Sequence, residues 1–131
     1  MPYQIQWEPQ GVYGKFSGEL GAGEFFSAIQ SIISHMHFKT AVYRLYDFND
    51  VTSVQMSEDD IRTLSAMNYH SLMSRVQDHT QRITAFVVSR VEMTRLVEQF
   101  INAMQIPSQR KIFSSVEEAR AWIRETLGSG R

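Results

Sequence analysis

The residues best suited to chemistry in this chain are Asp47, Asn49 and Asp50, followed closely by Ser57, Glu58 and Asp59. Two carboxylates in one loop could hold a hard cation, or act as nucleophile and acid in a hydrolysis. A serine at a helix start could accept a phosphoryl group. A hard cation wants more oxygens than two aspartates supply, and phosphoryl transfer on aspartate also needs a lysine and a later acidic pair. The next apolar run ends Val87-Val88-Ser89-Arg90, which brings a cation and no carboxylate. Asp-dependent hydrolysis is therefore the least supported use of Asp47 and Asp50, and the ordinary one is hydrogen bonding to their own turn or cap.

Other chemistries fall away on composition and spacing. Zero cysteines exclude disulfides, thiol catalysis and cysteine-held metal, and leave the cytoplasm as the simplest address. His35 and His37 are two apart, so on a helix they point to different faces, while His70 and His79 lie in another segment. Zinc needs three or four converging ligands. Cationic imidazoles near the end of the first helix, where the dipole favours them, are the simpler reading of His35 and His37. No serine sits in Gly-x-Ser-x-Gly and no glycine-rich loop follows a buried strand, so the sequence implies neither a catalytic residue nor a cofactor nor a metal. A formal net charge of -1 gives no field drawing nucleic acid. The first twenty residues hold no continuous apolar run, so no leader or membrane anchor is expected there.

The elements that must position these residues follow from hydrophobic period. Tyr3, Ile5 and Trp7 alternate with Gln4 and Gln6 as a half-buried strand does, Pro9-Gln10-Gly11 turns the chain, and Val12 to Ser17 should return antiparallel. Gly18, Gly21 and Gly23 then separate that strand from a helix striped by Phe25, Ile29, Ile32, Ile33 and Met36. Three strand-to-helix units follow, with strands at Ala41 to Asp47, Arg82 to Val88 and Lys111 to Phe113, which implies parallel pairing. Their helices are a broad-arced one from Ser57 to about Gln77, one striped by Met93, Leu96, Val97, Phe100, Ile101 and Met104 and ended by Pro107, and a last one using Ala119, Trp122, Ile123 and Leu127. The expectation is an α/β domain over residues 1–127, with a mixed, mainly parallel sheet of four or five strands and about four helices, and a frayed tail at 128–131. In it, the first of the parallel strands breaks at Asp47 and an acidic loop leads to Ser57.

Ser57 with Asp60, Ser89 with Glu92 and Ser115 with Glu118 share the spacing of a capping box, so serine at a helix start reads first as a cap. Arg44 falls on the same strand face as Val42 and Tyr46. Either that face is partly open, which would suit a homodimer contact, or the guanidinium is buried against a carboxylate.

The order of elements resembles the STAS domain, the fold of the bacterial anti-sigma factor antagonists, and its wider SpoIIAA-like or STAS/SEC14 group. Asp47-Phe48-Asn49-Asp50-Val51-Thr52-Ser53-Val54 is similar to the first half of that family's Asp-apolar-Ser-x-Val-x-x-apolar-Asp-Ser-Ser-Gly run. Val116-Glu117-Glu118-Ala119-Arg120-Ala121-Trp122-Ile123 is similar to its apolar-Glu-Glu-Ala-x-x-Trp-apolar close. The resemblance implies a regulatory protein-interaction module, with Asp47, Asn49, Asp50, Ser57, Glu58 and Asp59 as its contact or switch loop and a protein as its partner. It places Gln55, Met56 and Ser57 on Asp-Ser-Ser and Glu58 on the glycine, so only the phosphoacceptor survives. A phosphate there would face Glu58, Asp59 and Asp60, which opposes the help a helix N-terminus gives an anion. The SEC14 side of the group implies the alternative function, a carrier of a small apolar or lipid-like ligand between the broad-arced helix and the sheet.

Overall fold

In a computed structural model of the chain, residues 3–36, 41–63, 66, 83–103 and 109–128 are described. Strand β1 (Tyr3–Glu8) turns directly into β2 (Gly11–Gly21), and the two pair antiparallel from Tyr3 opposite Phe16 to Glu8 opposite Gly11. Helix α1 (Ala22–Ile33) leads to β3 (Tyr43–Gln55), which is followed by α2, described over residues 58–63. Strand β4 (Ile83–Val87), α3 (Val91–Ala103), β5 (Gln109–Phe113) and α4 (Val116–Gly128) complete the order. The sheet runs β1-β2-β3-β4-β5, with every pair after the first hairpin parallel. A mixed, mainly parallel α/β sheet with four helices is the architecture expected from the alternation of periods.

Two apolar layers form because each strand alternates its side chains. On one face Phe16, Leu20, Phe48 and Phe86 meet Phe25, Ile29 and Ile32 of α1, Ile61 of α2, and Met93 and Val97 of α3. On the other, Leu45, Ala85 and Val87 meet Ala119 and Ile123 of α4. The α1 stripe holds through Phe25, Ile29 and Ile32, whereas Met36 lies past the helix end and is 81% exposed. Met104, Pro107 and the middle and end of the broad-arced helix lie outside the described residues, as do His37, His70 and His79.

Two strands outrun their sequence reading. β2 continues through Ser17 to Gly21 rather than stopping at a glycine spacer, and β3 does not break at Asp47. Residues Ser17 to Gly21 of β2 pair with Asp50 to Gln55 of β3, with register shifts between Lys15 and Ser17 and between Gly18 and Glu19. The second shift follows Gly18, which takes φ +69, a conformation glycine adopts without steric cost. The supposed acidic loop is therefore a strand. β4 pairs with β3 only as far as Asp47, so residues 48–55 extend past it as a two-stranded arm with β2.

The candidate site at the strand ends

The C-terminal ends of β4 and β5 meet the middle of β3 at Asn49. Its side-chain amide donates to Ser114 O at 3.0 Å and its Oδ1 accepts from Ser89 Oγ at 3.0 Å, so one side chain ties β3 to the ends of β4 and β5. The Asn49 backbone N–H donates to Asp47 Oδ1 at 3.0 Å, and Asp47 Oδ2 accepts from the Tyr13 hydroxyl at 2.8 Å. Asp47 is 7% exposed, and both its oxygens are engaged, one by the main-chain N–H two residues on. Asp50 turns outward instead and pairs with Lys15 Nζ at 3.0 Å. Asp47 and Asp50 thus serve separate partners, and among the described residues no group of three His, Asp or Glu is arranged to hold a metal.

Ser57, Glu58 and Asp59 do not join this cluster. The extended backbone from Asp50 to Gln55 carries them away by roughly 16 Å along the strand. Ser57 caps α2 in both directions: its Oγ accepts from the Asp60 N–H at 3.1 Å, and its own N–H donates to Asp60 Oδ2 at 3.0 Å. This is the reciprocal capping box read from the Ser-x-x-Asp spacing. Ser115 caps α4 likewise, accepting from the Glu118 N–H at 3.2 Å and donating to Glu118 Oε1 at 3.1 Å. Ser89 is the exception. Helix α3 starts two residues later at Val91, and the Ser89 hydroxyl goes to Asn49 rather than to a helix N–H. Glu58 and Asp59 are exposed, with Asp59 3.7 Å from Arg62.

Arg90 closes the side of the arm that β4 leaves open, its Nη1 donating to Val51 O at 2.8 Å and Thr52 O at 3.2 Å. A cation that satisfies main-chain carbonyls in this way also guards a strand edge against stray pairing. Arg44, by contrast, is buried at 5% exposure, so the open-face alternative and its dimer contact do not describe this sheet. His35 lies just past the end of α1, where its ring stacks on Trp7 at 4.2 Å between centroids.

A second polar group, missed in the sequence, lies beneath α4. Arg120 reaches β1 and donates from Nη1 and Nη2 to the Glu8 carboxylate at 3.1 and 2.8 Å, and the Tyr43 hydroxyl donates to the same carboxylate. The Arg120 guanidinium also sits 5.5 Å over the Tyr13 ring. The hydrogen bond from Arg120, then that from Tyr43, holds the Glu8 carboxyl below its usual range against the opposing effect of burial. Burial, reinforced by hydrogen bonds to Asp47 and Glu8 respectively, pushes the Tyr13 and Tyr43 hydroxyls up to about 12. Arg120 occupies one of the unspecified positions in the family-like ending, and 112 residues separate it from Glu8, so no local pattern could have paired them.

Comparison with solved structures gives the fold. The anti-sigma factor antagonist SpoIIAA in its unphosphorylated form superposes with a TM-score of 0.60 at 15% identity, over 93% of this chain and 97% of that one. The chain has a SpoIIAA-like fold. An anti-sigma factor antagonist from Mycobacterium paratuberculosis superposes at TM-score 0.56 and 10% identity, over 93% of this chain and 92% of that one. An uncharacterized DUF3478-family protein from Shewanella loihica, itself described as SpoIIAA-like, does so at 0.51 and 15%, over 92% and 90%. No family model matches the chain, and no curated protein matches it in sequence. Among the described residues of this SpoIIAA-like chain, no helix is long and apolar enough to cross a membrane.

Proposed function

We propose that this chain is a non-catalytic, cytoplasmic regulatory module that acts by binding a protein partner through Asp50 and the acidic start of α2, without a phosphoserine switch at Ser57. One observation carries the reading: the polar groups of Asp47, Asn49 and Ser57 are already bonded within the chain, while three acids, Asp50 beside Lys15, Glu58, and Asp59 near Arg62, stay exposed. Asp47 is held by Tyr13 and the Asn49 N–H, Asn49 by Ser89 and Ser114, and Ser57 by Asp60. Asp50, Glu58 and Asp59 stay on the surface. Such a surface suits recognition of a basic partner, because rim charges steer encounter and set specificity. The similarity in fold to proteins described as anti-sigma factor antagonists supports a regulatory role over an enzymatic one.

The test uses tagged protein as bait in extract of its own cells. The expected result is one stoichiometric partner whose recovery drops about tenfold for the double variant D50K/D59K, the equivalent of about 1.4 kcal/mol. Equal recovery by the double variant sinks the proposed surface. Phosphate found on Ser57 of protein isolated from its cells overturns the absence of a switch.

An apolar cleft favours a second reading, the carrier. Phe25, Phe48, Met56, Ile61, Phe86 and Met93 line it, between the start of α2, α3 and the sheet, with about 20 Å³ of free space. That admits about one water, so a ligand could enter only if α2 moved away from α3. Native mass spectrometry of freshly purified protein decides: added mass supports the carrier, and a clean spectrum removes it.

A further inference from the structure

The two polar groups described above are parts of one closed circuit. Starting from the Asn49 backbone, its N–H donates to Asp47 Oδ1, and Asp47 Oδ2 accepts from Tyr13. The Tyr13 ring lies under Arg120 of α4. In the same first turns of α4, Glu118 accepts from Ser114 Oγ at 2.6 Å, and Ser114 O accepts from the Asn49 side chain, which returns the path to its origin. Glu8 and Tyr43 anchor the circuit at Arg120, and Ser89 anchors it at Asn49.

A closed ring differs from a row of separate bonds. In a row, breaking one bond frees only its partners; in a ring, each member is held from two sides. The segment Asp47 to Asp50 is tied to α4 along both arms, by way of Tyr13 and by way of Ser114. The two arms reach α4 at Arg120 and at Glu118, so a shift of its first turns pulls on both.

We propose that Tyr13 and Arg120 are positioning residues for the Asp47–Asp50 segment, and that this segment and the first turns of α4 behave as one coupled unit. The proposal adds regulation to the acidic surface and rests on the preceding reading only for what that surface binds. Displacement of α4 re-aims Asp50, and by reciprocity a partner seated on Asp50 alters how firmly α4 is docked.

Amide hydrogen exchange on the full chain tests the coupling without any partner, so its failure is distinct from failure of the partner reading. In Tyr13→Phe, exchange at the Asn49 N–H should rise at least about tenfold more than at Ala85, a buried β4 residue outside the circuit that registers general loss of stability. Glu8→Gln, which keeps the side-chain shape but weakens the hold on Arg120, should raise Asn49 exchange in the same direction by a smaller factor. Equal rises at Asn49 and Ala85 in both variants overturn the proposal, because a merely structural role moves both amides together. A rise at Asn49 in Tyr13→Phe with none in Glu8→Gln also overturns it, because α4 would then play no part.

Discussion

Ser57 shows how much a single side chain can settle. Its hydroxyl and N–H both serve Asp60, so Ser57→Ala should lower stability by about 0.5–2 kcal/mol, measured as a shift in the denaturation midpoint at unchanged slope. Ser57→Asn, which can still cap, should recover most of the loss. The pH behaviour follows from Glu8, Tyr13 and Tyr43. Glu8 titrates below its ordinary value in the folded chain, so its contribution is present above about pH 4.5 and fades as the pH falls through that lowered value. The two tyrosines titrate above theirs, so their contribution is full below about pH 10 and is lost as the pH rises toward and through about 12. Equilibrium unfolding across both ranges should show Glu8→Gln blunting the acid limb and Tyr43→Phe blunting the alkaline one. Ser57 was legible in the sequence because a capping box is local. Glu8, Tyr13 and Arg120 were not, because their contacts form only once β2 lies beside β3 and the Arg120 side chain reaches from α4 to β1.

At the scale of elements, β3 is where sequence and structure part. Asp47-Phe48-Asn49-Asp50 is rich in turn formers, and a reading by composition ends the strand there. The strand continues because β2 continues beside it, and pairing with a neighbour overrides local preference. Its apolar side chains keep the strand in the core even so, with Phe48 and Val51 both buried. β1, β4 and the parallel order were legible, β1 from its alternation, β4 from its continuous buried run, and the order from strands that alternate with helices. The overrun passes through the register shift after Gly18, whose positive φ a side chain resists. Gly18→Ala should therefore cost about 1–2 kcal/mol, although a Cβ there would meet nothing within 4 Å. The loss would be conformational, not steric, and Gly18→Asn should cost less than Gly18→Ala in the same denaturation assay.

For the whole molecule, the division into two apolar layers matters most. Phe16 is 1% exposed and stacks on Phe48 at 4.9 Å while meeting Phe25 at 5.4 Å, so it joins β2, β3 and α1. Phe16→Ala should cost about 3–5 kcal/mol, and calorimetry should show whether the α4 layer melts with it or later. The chain's two tryptophans happen to be divided between the layers. Trp7 packs on the α1 side, stacked against the His35 imidazole, and Trp122 packs on the α4 side, tilted at 5.4 Å from Phe113. Each layer therefore carries its own fluorophore. With Trp122→Phe the emission comes from the α1 side alone, and with Trp7→Phe from the α4 side alone, so loosening of α4 can be followed optically while the opposite layer serves as an internal reference.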